Sequence, residues 1–303
     1  MHERWIIDFK IDLRLGSNLY LHLHTVRDPV GAAFIAAVLH PAEGPRSKVH
    51  EAQVRQTLRL AFAAGGFPEE VQTDGEGALN SQPGDNFPSP FTLWLIALGI
   101  RHLRSRPGVP TDDAEVERAH RTLYDYCLID ALAQPLSLPE LRARLQQAVE
   151  VLNYHYPSRA HGCHGRPPFT AHPELQQPPR PFDPHFELAR FDLQRVDAYL
   201  APLCFERKVG KMGQITLGGK AGRYTVGRDY VGQVVSVHFD PADRCFVAAP
   251  PDQTGHEIRR WPAKLLSTDD ILGFSLETPP PCPQQLPLPL PFQQPMVKEP
   301  ALA

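Results

Sequence analysis

The chain has 303 residues, 42% of them hydrophobic, and its 31 basic and 34 acidic side chains leave a formal net charge of -3. Length and apolar content suffice for two domains with their own cores and exclude a wholly disordered chain. No apolar run reaches the roughly eighteen residues that a membrane span needs, and MHERWIIDFK carries charge where a signal peptide is apolar, so a cytoplasmic protein is expected, neither inserted in a membrane nor secreted.

Five cysteines, Cys127, Cys163, Cys204, Cys245 and Cys282, are scattered without a Cys-x-x-Cys pair, a pattern of reduced thiols rather than a disulfide framework. The slightly acidic balance argues against nucleic acid as a partner unless positive charge is segregated in one part of the chain.

In chain order, residues 5–14, 19–26 and 32–39 read as three strands. LYLHLHTV alternates its side chains, whereas AAFIAAVL is almost wholly apolar and is expected at the centre of a sheet. Arg27 to Gly31 supplies the turn between them. His22 and His24 sit two apart on one strand face, a pair without further ligands, so strand packing or exposure to solvent, rather than metal binding, is expected of them. Glu51 to Ala64 is an amphipathic helix with Val54, Leu58, Leu60 and Phe62 as core candidates, ended by Gly65-Gly66-Phe67-Pro68. A short strand then delivers Asp74. Phe91 to Leu98 predicts a buried helix, followed by Gly99 and a strand through Ile100 to Leu103.

Within PTDDAEVERAHRTL (Pro110 to Leu123), Val116, Ala119 and Leu123 recur at helical spacing behind two acids, which predicts an amphipathic helix from near Asp113. Glu117 falls in its first turns. Taken alone, Glu117 and Arg121 are an ordinary surface pair four residues apart. Asp8, in WIIDFKIDL, and Asp74, in VQTDGEGAL, change that reading. A carboxylate in a core strand is costly unless something neutralises it. Two strand-borne acids and one from a helix above the sheet can converge, and they repel one another until a divalent cation lies between them.

The order Asp8, Asp74, Glu117, with Val116-Glu117-Arg118 and His120-Arg121-Thr122-Leu123, resembles the catalytic domain of retroviral integrases and bacterial insertion-sequence transposases, the Asp-Asp-Glu family. The likeness spans about residues 4 to 170 and rests on WIIDFK and on Gly99 to Leu123. Between Asp74 and Glu117 lie 42 residues, more than the family's spacing, with the surplus in the loop-like Asn80 to Pro90. Glu115 points about 200° away from Glu117 on a helix, so only one can face the site, and the resemblance selects Glu117. It implies an α/β fold with a ribonuclease-H-like mixed sheet flanked by helices, and Asp8, Asp74 and Glu117 as catalytic residues and ligands of two Mg2+ ions, with Mn2+ as the alternative. It further implies 3'-end cleavage and strand transfer on double-stranded DNA, by a homo-oligomer in the bacterial cytoplasm that is nucleoid-associated when acting. Arg118 and Arg121, flanking Glu117, are candidate DNA contacts.

Leu138 to Tyr154 is a further amphipathic helix. In the following segment, Asn153 to Pro173, His161, Cys163 and His164 are too crowded to supply the paired ligands of a structural zinc site, even with His155 and His172 near them in sequence. The catalytic domain is thus placed at 1–175, a proline-rich linker at 176–185, a small all-β barrel at 186–275 and a proline-rich disordered tail at 276–303. FERKV, QITL, RYTV, QVVSVHF and RCFV are short strands with glycine-rich turns, and they resemble the C-terminal barrel of transposases related to phage Mu transposase. Between Cys204 and Gln233, six basic residues, Arg207, Lys208, Lys211, Lys220, Arg223 and Arg228, face only Glu206 and Asp229, a net of +4 that suits a phosphate-tracking surface.

Two other readings share these features. One is a ribonuclease-H-like nuclease without strand transfer. The other is a decayed or truncated transposase that only binds DNA, because Asp8 leaves no room upstream for the family's recognition helices. A separate DNA-recognition or ATPase helper would then complete the machinery.

Overall fold

The alternation and turn signals of the N-terminal forty residues produce three long strands, β1 (Arg4–Leu15), β2 (Leu19–Asp28) and β3 (Ala33–Ala42). In this computed structural model the described residues are 1–16, 19–74, 79, 86–105, 114–129, 136–219, 221–251 and 256–274, and the side chains of 12 and 114–117 lie outside the description. After β3 come α1 (Glu51–Gly65), β4 (Glu70–Thr73), α2 (Pro90–Ala97), β5 (Arg101–Arg104) and α3 (Ala114–Leu123), the order that the sequence predicts. The chain is mixed α/β and divides into two compact units, one of residues 1–68, 108–184 and 281–303, the other of 69–107 and 185–280.

In the first unit β1, β2 and β3 form an antiparallel meander. One side of it buries Leu13, Leu21, Leu23 and Leu39 against Leu123 and Leu128, and against Leu141, Leu145 and Leu152 of α4 (Leu138–Tyr154). Each such side chain contributes about 1.5–3 kcal/mol on leaving water. Helix α4 starts at a capping box: Ser137 Oγ accepts from the Glu140 backbone, and the Glu140 carboxylate accepts from the Ser137 N–H. Helix α3 runs on into one π-helical turn, Tyr124–Leu128.

β3 is not central as its apolar sequence predicts; it is an edge strand beside β2. Its carbonyls are covered instead by α4. Arg142 Nη2 and Gln146 Nε2 donate to the Leu39 and Ala37 carbonyls, both at 2.8 Å. Asn153 bonds both backbone groups of Phe34, accepting its N–H at 2.9 Å and donating to its carbonyl at 2.7 Å. The helix supplies what a further strand would otherwise supply, which explains an apolar run at an edge. Asn153→Leu leaves two buried backbone groups unmatched and is expected to cost about 2–4 kcal/mol, read as a lowered urea midpoint.

Gly66 ends α1 at φ 71, and a Cβ there would lie 2.4 Å from the Arg180 carbonyl oxygen, so only glycine fits. The same backbone is pinned by Phe67 N–H to Arg180 O at 2.9 Å and by Arg180 Nε to Phe67 O at 3.2 Å. The proline-rich stretch expected as a linker is therefore bonded to this unit at Arg180.

In the second unit β4 and β5 pair in parallel, from Glu70 opposite Arg101 to Thr73 opposite Arg104. Helix α2 is apolar all round and buried, as the sequence predicts, with Ser89 accepting the Thr92 N–H at its start. Beyond α5 (Leu193–Leu200) come β6 (Cys204–Lys208), β7 (Gln214–Thr216), β8 (Arg223–Thr225), β9 (Val234–Asp240), β10 (Cys245–Ala249) and β11 (Arg259–Pro262). They form an antiparallel sheet in the order β11-β10-β9-β6 and a separate ribbon β7-β8. Phe205, Tyr224, Phe239 and Phe246 fill the space inside. The tail expected to be disordered lies outside the described residues. Among those residues no helix is long and apolar enough to cross a membrane.

Candidate active site

Asp8 sits in β1, one residue beyond the fully buried Ile7, and in register opposite Thr25 of β2. Its carboxylate keeps 24% exposure. The Phe9 N–H donates to Oδ1 at 2.7 Å, while His120 Nδ1 of α3 lies 3.1 Å from Oδ2. On its far side the His120 ring meets Thr25, Nε2 forming a short hydrogen bond with Oγ1. Burial, followed by the charges of Lys10 and Arg27, pushes the His120 pKa down to about 4. The ring is therefore neutral at neutral pH and carries one N–H. An Asp8 carboxylate can only accept, so the proton belongs on Nδ1 and Nε2 accepts the Thr25 hydroxyl proton.

Two further features surround Asp8. The Lys10 ammonium, two residues along β1, lies 4.4 Å from the centre of the Tyr124 ring. Just past it the β1-β2 register shifts between Lys10 and Leu13, a bulge of the kind that re-aims side chains beside sites.

Glu117 belongs to α3, one turn before His120. Its side chain, like that of Glu115, lies outside the described residues. Asp74 follows β4 directly, is exposed, and belongs to the second unit. The residue before it is held by a hydrogen-bonded series. Thr73 Oγ1 meets His102 Nε2 at 2.9 Å, His102 Nδ1 meets Thr92 Oγ1 at 2.9 Å, Thr92 Oγ1 meets Ser89 Oγ at 2.9 Å, and Ser89 Oγ donates to the Leu79 carbonyl at 2.7 Å. The end of β4 is thereby fastened to β5 and to the start of α2. The structure thus brings Asp8 together with the helix that bears Glu117.

Among the described residues no three His, Cys, Asp or Glu side chains gather to hold a metal ion. The donor chemistry of Asp8, Asp74 and Glu117 nevertheless suits Mg2+, a hard cation that takes oxygen ligands. Asp8 offers two carboxylate oxygens of this hard type, Oδ1 beside the Phe9 N–H and Oδ2 beside His120.

Of the candidate DNA contacts, Arg118 and Arg121 are exposed on α3, and Lys208, Lys211, Arg223 and Arg228 are exposed in the second unit. Arg207 is partly engaged: Nε donates to the Thr216 carbonyl at 3.0 Å and Nη1 to Asn86 Oδ1 at 2.8 Å. Lys220 lies outside the described residues. Of the two open readings for His22 and His24, packing is the one found: both are buried on β2. His24 Nδ1 and His40 Nε2 both meet Thr57 Oγ1, at 3.2 and 2.9 Å, and His22 Nε2 meets Ser47 Oγ at 3.1 Å.

Reasoning from sequence assigned no role to His120, Thr25, His102 or Thr73. His120 had a signal, since three residues after Glu117 is one helical turn. The others depend on cross-strand register, which the sequence does not carry.

No protein-family model matches the chain. Among curated proteins it is 28% identical over 189 residues to the insertion element IS476 uncharacterized 39.2 kDa protein of Xanthomonas euvesicatoria, covering 60% of this chain and 49% of that protein. The chain thus spans about half the length of the curated relative it matches. Among solved structures it is similar to a chain of the simian T-cell lymphotropic virus intasome in complex with PP2A regulatory subunit B56 gamma, at 17% identity and a TM-score of 0.44, covering 87% of this chain and 77% of that one. It is similar also to the HTLV-2 integrase catalytic core domain in complex with magnesium, at 17% identity and a TM-score of 0.41, covering 56% of this chain and 96% of that one. The catalytic core domain of BIV integrase gives 18% identity and a TM-score of 0.40, covering 57% of this chain and 95% of that one.

Proposed function

We propose that the chain is a transposase or integrase of the Asp-Asp-Glu type, a polynucleotidyl transferase that cleaves DNA 3' ends and joins them to target DNA. One observation carries the reading: His120 ties the core strand of Asp8 to the helix of Glu117, two of the three acids that the reaction requires. The 28% likeness to an insertion-element protein supports the same class.

Asp8, Asp74 and Glu117 would hold two Mg2+ ions, with Mn2+ as the alternative, and such a pair activates the attacking water or 3'-hydroxyl and stabilises the leaving oxygen. Asp8 presents its carboxylate from a buried strand, its orientation fixed by Phe9 N–H and His120. The hydrogen bonds around Thr73 fix the backbone that delivers Asp74. Residues 1–175 are read as the catalytic domain and 186–275 as a barrel that binds DNA. The partners are element-end and target duplexes and further copies of this chain, in the cytoplasm.

Duplexes bearing the ends of the element, incubated with the full chain, Mg2+ and a supercoiled target plasmid, are expected to yield both nicked ends and joined products. Cleavage that persists in a chelator overturns the reading. Nicking without joining identifies a nuclease, and binding without either identifies a DNA-binding protein only.

The exposed lysines give a separate expectation. Lys208→Ala with Lys211→Ala is expected to weaken duplex binding evenly across sequences and to reduce the slope of log affinity against log salt by about two, one for each lost phosphate contact. An unchanged slope in fluorescence anisotropy removes these lysines from the interface.

A further inference from the structure

We infer that His120 is a positioning residue: its imidazole, seated against Thr25, holds the Asp8 carboxylate in the orientation in which it meets a divalent cation. The inference rests on the reading of Asp8 as a metal ligand.

The geometry forms a closed loop. Asp8 and Thr25 face each other across neighbouring strands, and one ring from α3 bridges them, Nδ1 at 3.1 Å from Asp8 Oδ2 and Nε2 on Thr25 Oγ1. His120 is only 6% exposed, so its ring is fixed by packing as well as by its two partners. Its tautomer follows from those partners. Thr25 gives its hydroxyl proton to Nε2, which leaves the ring N–H on the side of Asp8. A carboxylate on a short side chain would otherwise rotate about its own bond, and the Phe9 N–H restrains only Oδ1. With Oδ2 restrained too, the carboxylate plane keeps a constant direction, and an ion meets it without first ordering the side chain. Groups behind a ligand commonly change metal affinity by about 10–100-fold when removed.

The same bond has a second consequence, because His120 and position 117 share one helix. Fixing the ring against β1 also fixes the depth and rotation of α3 over the strand. His120 thus couples the placement of one acid to that of the helix bearing another.

The test uses Mn2+ as the probe, with free ion counted by electron paramagnetic resonance over the full-length protein, alongside urea unfolding of each variant. His120→Ala is expected to weaken Mn2+ binding about 10–100-fold in protein that is still folded. His120→Asn keeps an N–H donor near the position of Nδ1 and is expected to stay within a few-fold of the unaltered protein. Thr25→Val, which frees the tautomer, is expected to fall between them. Asp8→Asn separates the two layers of argument: if it binds Mn2+ normally, the reading of Asp8 as a ligand fails. If Asp8→Asn loses the ion while His120→Ala retains full affinity, the positioning role alone fails. Should His120→Ala not fold, unchanged Mn2+ affinity in Thr25→Val overturns the role equally well. A merely structural histidine would lower the urea midpoint in His120→Ala and leave Mn2+ affinity where it was.

Discussion

Asp8→Asn is expected to lower metal-dependent DNA cleavage and joining by about a thousandfold or more while leaving duplex binding nearly unchanged. The substitution preserves shape and one acceptor oxygen but removes the negative charge that balances a cation in the site. Metal ions contribute several kcal/mol of charge stabilisation in phosphoryl transfer, and about 4 kcal/mol corresponds to a thousandfold in rate. An Asn side chain keeps one acceptor oxygen, enough for the Phe9 N–H on Oδ1 or for His120 Nδ1 on Oδ2 but not for both, so a modest fall in the urea midpoint is expected beside the loss of activity. Cleavage and joining of end-bearing duplexes, measured with binding by anisotropy on the same preparation, distinguish loss of chemistry from loss of DNA. Activity within tenfold of the unaltered chain would remove Asp8 from the reaction. Glu117→Gln is expected to behave alike, and a fully active Glu117→Gln would return attention to Glu115.

Much of the scaffold around these acids was legible because local signals agreed with one another. Ser89 and Ser137 cap the helices that follow them, Gly66 stops α1, and the run Phe91 to Leu98 is buried on every side. What misled was β3. An apolar run means that both faces and the edge are covered, and a sheet interior is only one way to cover them; here Arg142, Gln146 and Asn153 of α4 reach the backbone from the side. That arrangement joins residues more than a hundred positions apart, beyond the reach of any local pattern. The site divides along the same line. Asp8 stood out because a carboxylate in a core strand is out of place unless something neutralises it, whereas Asp74 and Glu117 entered as candidates with the family resemblance. His120 and Thr25 could not be named in either way, because their roles exist only once Asp8 and Thr25 are in register. The stretches 75–78, 80–85 and 106–113, which flank two of the acids, lie outside the described residues.

The second large effect expected is loss of stability in mild acid, driven by histidines that are neutral in the folded chain. Desolvation, then His40 and His22, holds the His24 pKa well below its usual value, and desolvation, then Arg142 and His22, lowers that of His40 to about 4. Both donate to Thr57, whose hydroxyl is directed to the Gln53 carbonyl at 3.0 Å, so each ring can make its bond to Thr57 while neutral. In the second unit, desolvation followed by Arg104 lowers His102 to about 4 as well. The unfolded chain takes up protons near pH 6.5, whereas in the folded chain His40 and His102 resist them until about pH 4 and His24 resists them as well. The stabilisation is therefore full above pH 6.5 and is lost as pH falls from 6.5 towards 4. A histidine lowered to about 4, as His40 is, contributes a loss of about 2 kcal/mol by pH 5, and His24 acts in the same direction, against the roughly 5–15 kcal/mol typical of a folded domain. Urea midpoints followed by tryptophan fluorescence should fall steeply between pH 7 and pH 5. His40→Gln, which removes one titrating group, should flatten that slope even if it lowers the midpoint at pH 7. A midpoint constant from pH 7 to pH 5 would mean that these rings are hydrated and charge freely, and the buried histidine cluster would then not be the packed, neutral core that its hydrogen bonds describe.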